Sequence, residues 1–96
     1  MIVSRKFWVH AKDDYVGVAV DDIVPAEDVT GVFMDTGKEI SLKSRDEVPL
    51  GHKIALRDIG SGEKVIEYGT VIGAATKKIR AGEHVHTHNL KTLRWA

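Results

Sequence analysis

Three of the five histidines fall at alternate positions in Gly82-Glu83-His84-Val85-His86-Thr87-His88-Asn89. Side chains at alternate positions of an extended strand share a face, with neighbours roughly 6.5 to 7 Å apart along it. An extended segment therefore presents His84, His86 and His88 together. Two imidazoles at this spacing can reach one divalent ion. The outer two lie about 13 Å apart by the same rise, too far to join in. The expected arrangement is two ligands and one bystander, free to hydrogen-bond a substrate or to act as acid or base, since imidazole titrates near neutral pH. The bland alternative is a strand with a polar edge.

Other residues of interest are scattered. His10 precedes Ala11-Lys12-Asp13-Asp14, where Asp13 and Asp14 are available carboxylates, although a solvated loop explains this stretch better. Asn89 can orient an imidazole, contact a substrate or satisfy local backbone at a strand end. Glu63 and Glu83 occupy equivalent places in a repeated turn, which favours a structural role. The aromatics Trp8, Phe33, Tyr68 and Trp95 form no stacking pattern; Trp95 is a natural partner contact if exposed.

The elements that must position these residues are short. Ninety-six residues make a single domain, 1–96. Its 14 basic and 14 acidic side chains balance, leaving no excess to follow a nucleic-acid backbone. No apolar run is long enough to span a bilayer, and Met1 to Phe7 lacks the apolar centre of a signal peptide. A cytoplasmic protein without nucleic-acid or membrane partners is expected. With no cysteine, thiolate chemistry and disulfides are excluded, so any metal is held by nitrogen and oxygen.

The apolar residues come in short, mostly β-branched runs: Val16–Val20, Val29–Phe33, Lys53–Leu56, Lys64–Ile66 and Thr70–Gly73, each bounded by Gly, Asp or Pro. No window shows the helical spacing of a major amphipathic helix. Asp35-Thr36-Gly37-Lys38 reads as a hairpin loop, followed by a strand with Ile40 and Leu42 on one face and Glu39, Ser41 and Lys43 on the other. Ser44-Arg45-Asp46-Glu47 is a polar connection with room for one helical turn, which Pro49 would stop.

A stronger pattern is a unit of branched aliphatic, two residues, small residue, two residues, branched aliphatic. It occurs at 23–29, 48–54, 59–65 and 79–85. The first aliphatic should end one strand and the second open the next, with the small residue turning the chain at positive φ. Ala26 stands where the other copies have glycine. That predicts a first turn without the left-handed conformation, and the least regular of the four.

These units, with Gly51-His52-Lys53-Ile54-Ala55-Leu56, the segment Gly62 to Gly69, Ile72-Gly73 and Gly82 to Asn89, resemble the SAF-type domain at the start of the altronate and galactarate dehydratases. The likeness runs from about residue 9 to 91. It implies an all-β β-clip fold of short strands and tight turns. It also implies a metal-dependent lyase that removes water from a sugar acid such as altronate or galactarate, or, in related two-subunit enzymes, sulfite from sulfolactate. The metal would be divalent, iron or manganese, shared with a large catalytic subunit. The chain would be the small subunit or a fragment of a longer enzyme, inactive alone; homo-oligomerisation stays open.

Such an elimination removes a proton α to a carboxylate and expels a group from the β carbon, needing Lewis-acid and proton-moving groups. On the resemblance, His84 and His86 are the expected metal ligands. His88 and, from the Gly51-His52-Lys53 turn, His52 and Lys53 are the expected catalytic groups, Lys53 neutralising a substrate carboxylate. Without the resemblance His52 reads as a solvated or capping histidine. The competing functions are a non-catalytic module that binds a carbohydrate or acid, and an assembly domain.

Overall fold

The computed structural model describes residues 5–92; Trp95 lies outside the described residues. The chain forms β1 (Arg5–Val9), β2 (Val16–Ala19), β3 (Asp28–Phe33), β4 (Glu39–Lys43), β5 (Lys53–Ala55), β6 (Lys64–Glu67), β7 (Thr70–Ala75), β8 (His84–Val85) and β9 (Leu90–Thr92). No helix occurs among the described residues, including at Ser44–Glu47, where a helical turn had room to form. The expected hairpin joins β3 to β4. Its β4 strand keeps Ile40 and Leu42 half-buried and the polar residues between them exposed.

The strands form a six-stranded sheet in the order β4-β3-β1-β2-β5-β8 and a three-stranded sheet β6-β7-β9. All neighbours are antiparallel except β1 and β3. One core, around Phe7, Val9, Ile23, Val29, Val48 and Ile54, lies on one side of the larger sheet. The other, around Val16, Ile59, Val65, Ile79 and Val85, joins β2, β5 and β8 to the smaller sheet. Phe7 is fully buried because Gly17 and Gly31 leave room for its ring: a Cβ there would come within 2.7 Å and 2.0 Å of it.

The four turn units are the frame. All eight of their aliphatics are at most 1% exposed, each worth about 1.5–3 kcal/mol in burial. The second aliphatic of each unit enters a strand, as its spacing predicts: Val29 in β3, Ile54 in β5, Val65 in β6 and Val85 in β8. The first aliphatics do something different, meeting in two isolated bridges, Ile23 with Val48 and Ile59 with Ile79. The units are thereby paired, first with second and third with fourth.

Reciprocal hydrogen bonds lock each pair. The Gly51 N–H donates to Ala19 O and His52 O accepts from Ala19, while Ala26 and Glu27 make the same exchange with Ser44. In the other pair Gly62 and Glu63 exchange with Ala75, and Gly82 and Glu83 with Ala55. An aspartate ahead of each pair's first unit caps the turn of its second: Asp22 accepts from Leu50 N–H and Asp58 from Ala81 N–H, both at 2.9 Å.

The small residue has positive φ in all four units, 64° at Ala26 and 83–91° at the glycines. The expectation that Ala26 escapes the left-handed region is thus corrected: its N–H and the carbonyl of Glu27 must reach Ser44 as their counterparts do, and that contact fixes φ despite the Cβ. The expected irregularity of this copy is present in another form. The Ser44 hydroxyl accepts from Glu27 N–H and donates to Val24 O, standing where the other turns have a direct backbone bond.

Candidate functional site

Strand β8 lasts only two residues and pairs with β5, placing Ile54 opposite His84 and Lys53 opposite Val85. Opposed residues share a face. His84 therefore emerges on the Ile54 side, and Lys53 points the other way with Val85. His52, one residue before β5, is on the same side as His84: its Nδ1 lies 2.8 Å from His84 Nε2. The His86 ring stacks on His52 with centroids 4.3 Å apart. One ring nitrogen from each of His52, His84 and His86 falls within 4.8 Å of the other two.

The chain does not stay extended to His88. After Val85 it turns, with Asn89 and Leu90 both donating their N–H to His86 O. The His88 ring consequently lies 5.2 Å from that of His84, not the 13 Å an extended strand would impose. The physical reason is Asn89. Its side chain is nearly inaccessible, its Oδ1 accepts from His86 N–H at 3.0 Å, and its Nδ2 donates to His84 O at 2.8 Å. Of the roles open to Asn89, it takes that of a clamp on the backbone of two histidines. Asp46 adds a third restraint, accepting from His84 N–H at 3.0 Å.

His52 owes its position to a departure from the turn plan. In the other three units the residue after the small one is glutamate, whose carboxylate closes the turn on the N–H three residues earlier: Glu27 on Val24, Glu63 on Gly60 and Glu83 on Arg80. In the second unit that earlier residue is Pro49, which has no N–H to offer. A carboxylate there would have nothing to close. An imidazole takes the position and turns to the other histidines.

The surroundings of His84 disfavour its charged form. Burial, and then the neighbouring His88, His52 and His86, push His84 below the usual imidazole range, with Asp46 opposing weakly. His84 thus stays neutral near pH 7, the form with a lone pair for a metal. His86 and His88 are exposed, and two depressions of the surface, one around Leu42 and Arg45 and one around Tyr15 and Arg57, contain no histidine. The cluster is an open face, short of an enclosed pocket.

Among the sequence candidates, the structure joins His52, His84 and His86, with His88 alongside, and separates Lys53. The Lys53 Nζ lies 3.8 Å from a Glu67 carboxylate oxygen, and His10 approaches the same carboxylate at 3.7 Å. Asp13 is exposed as a solvated loop implies, whereas Asp14 is buried and accepts from the N–H of Ala11 and Gly69, bracing the loop. Glu63 and Glu83 have the structural role their equivalence suggests. Asp46 was read only as part of a polar connection and no role was read for Glu67; the signal for Glu67 is the alternation of β6, which puts it on the buried side of the strand with Val65.

The altronate/galactarate dehydratase SAF domain family matches residues 5–93. The (2R)-sulfolactate sulfo-lyase subunit alpha of Chromohalobacter salexigens is 46% identical over 94 residues, 97% of this chain and 100% of that protein. The protein of the same name from Paracoccus pantotrophus is 39% identical over 64 residues, 67% of this chain and 96% of its own length. The altronate dehydratase of Escherichia coli is 44% identical over 84 residues, covering 88% of this chain but only 16% of that enzyme. With nearly its whole length matched, and an all-β fold of short strands and tight turns, the chain belongs to the altronate/galactarate dehydratase SAF domain family.

Proposed function

We propose that the chain is the small subunit of a metal-dependent cytoplasmic lyase acting on a hydroxy acid, with sulfolactate favoured over altronate or galactarate. The observation that carries this is the convergence of three imidazole nitrogens within 4.8 Å on an open face. Correspondence with 100% and 96% of the length of two sulfo-lyase alpha subunits supports the two-subunit arrangement.

The donor set fits a divalent transition ion. Neutral imidazoles suit iron or zinc, and manganese where oxygens from substrate or water complete the shell; two nitrogens at about 2.1 Å from one ion are separated by about 3 Å, close to the His52–His84 spacing. His52, His84 and His86 would hold it, assigning His52 to the ligands rather than to proton transfer. Bound there, the ion would stabilise negative charge developing on the acid's oxygens. His88, beside His84 and outside the group of three, is free to take the proton α to the carboxylate. Asn89 and Asp46 hold the ligand-bearing backbone still. A large subunit would close the open face, exclude water and complete the substrate pocket.

Metal content and turnover of the complex recovered with the tagged chain test this. His86→Ala should remove most of the bound metal and abolish elimination from sulfolactate while leaving the two chains associated. A variant that retained metal and turnover would defeat the proposal, as would a chain that purifies alone, metal-free, yet is fully active.

A further inference from the structure

Lys53 and His52 are neighbours that face opposite sides of the sheet, and the side that Lys53 faces carries its own chemistry. Glu67, only 7% exposed, ends β6 there. Its carboxylate is approached by Lys53 Nζ at 3.8 Å and His10 Nε2 at 3.7 Å. Both are ion-pair contacts longer than a hydrogen bond, so the three groups keep hydrogen-bonding capacity for an oxygen atom placed beside them. Burial, and more weakly the neighbouring Asp14 carboxylate, push the Glu67 carboxyl above the usual range, against the pull of Lys53 and His10.

The next residue is equally informative. Tyr68 and Gly69 form the two-residue turn between β6 and β7, with φ of 58° and 67°. A turn with both central residues left-handed ordinarily takes Asn, Asp or Gly first, and a bulky aromatic there is strained. The strained residue is 68% exposed and lays its ring on His10 at a centroid distance of 3.6 Å. Strain held in place for an exposed side chain points to use.

We propose that Lys53, Glu67, His10 and Tyr68 form a second ligand site, for a hydroxylated carboxylate or sulfonate, on the face of β5 opposite the histidine cluster. Lys53 meets the anionic head, Glu67 and His10 meet a hydroxyl, and the Tyr68 ring, stacked on His10, holds that imidazole in position. A bare anion would be opposed by Glu67, so the site demands a hydroxyl as well as a negative charge. The ligand class accords with the lyase proposed above; the site itself rests on its own geometry.

The test is a titration of the isotope-labelled full chain, followed by amide NMR in chelator, with L-tartrate and then succinate as probes of equal charge. Expected are saturable shifts at Ala11, Lys53, residue 68 and Gly69 with tartrate, and binding weaker by about tenfold with succinate. Glu67→Gln should weaken tartrate to a similar degree. Tyr68→Gly, which suits the turn better than tyrosine, should weaken tartrate while the rest of the spectrum is retained. Because metal is absent, and because His52→Glu should leave the response intact, failure of the metal proposal would not imitate failure here. No saturable shift up to about 50 mM tartrate, an equal response to succinate, or a response lost on His52→Glu would overturn the site.

Discussion

The two pairs of turns follow one hydrogen-bonding plan and differ in how strictly they keep it. The pair at 59–65 and 79–85 obeys it fully, with glycine at the left-handed position, a direct backbone bond across each turn, and a glutamate closing it. The pair at 23–29 and 48–54 departs in both members. The first turn has Ala26 and an inserted Ser44 hydroxyl; the second has Pro49 with His52. The regular pair shows what the fold requires, so the irregular pair shows where something else was required. At His52 that is an imidazole delivered to a cluster, since local rules are broken chiefly at functional or strained positions.

The largest effect should come from taxing the regular pair. A Cβ on Gly82 would sit 2.2 Å from Lys43 O, at a φ of 91°. Backbone cannot move aside as a flexible side chain can, so Gly82→Ala should cost about 3 kcal/mol or more in urea unfolding. Gly62 has the same conformation with nothing within 4 Å of the added atom, and Gly62→Ala should cost only about 1–2 kcal/mol. Equal losses at the two positions would show that the shared conformation alone sets the cost and that the contact with Lys43 adds nothing.

The sharpest contrast is made by restoring the plan. In Pro49→Ala/His52→Glu the second turn regains both the N–H and the carboxylate that closes on it. The protein should be as stable as the parent, or up to about 1 kcal/mol more so, while metal affinity falls at least about 100-fold. Calorimetry of unfolding and of metal binding reads both numbers. A double variant that loses stability would mean that Pro49 and His52 serve the turn itself. Within the regular pair, Glu63→Ala and Glu83→Ala should each lose about 1 kcal/mol, as capping carboxylates do.

How legible these features were follows from the range of the interactions behind them. The eight aliphatics announced themselves because each unit is local and its spacing is set by one turn. Their pairing did not: Ile23 meets Val48 and Ile59 meets Ile79 across the chain. The histidine cluster divides in the same way. His84 and His86 were visible as neighbours, whereas His52 joins them through the β5–β8 pairing across some thirty residues of chain. Aligning the four units reveals His52 from sequence, as the one non-glutamate at its position, directly after a turn whose donor is missing. The turn after Val85 was also encoded, in Asn89 three residues beyond His86, a spacing at which the asparagine side chain can cap a backbone N–H. Lys53 was placed with the histidines by resemblance, although adjacent residues on a strand face opposite ways.

The smallest expected effect concerns the carboxylate of the first turn, the one closing glutamate with a second duty. Glu27 closes the turn through Oε1 and pairs with Lys6 Nζ through Oε2 at 2.9 Å. Hydrogen bonding to Lys6 is the main cause that holds its carboxyl below the usual range, with the Val24 N–H assisting and burial opposing. The same contact raises Lys6 above its usual range. A carboxyl lowered in the folded state stabilises fully above its unfolded pKa and loses that contribution as pH falls through the folded value. Acid should therefore weaken the first turn in a window that begins near the ordinary glutamate pKa and extends below it. At the alkaline end the lysine contribution fades as pH rises through its raised value. Glu27→Gln should accordingly be less stable than the parent near pH 7, and the difference should shrink as the pH is taken down through that acid window. Unfolding midpoints collected across the acid range give the comparison. A gap that persisted undiminished at the lowest pH would show that Glu27 acts through shape and hydrogen bonding alone, as Glu63 and Glu83 do, and that the first turn differs from the regular pair only in Ala26 and Ser44.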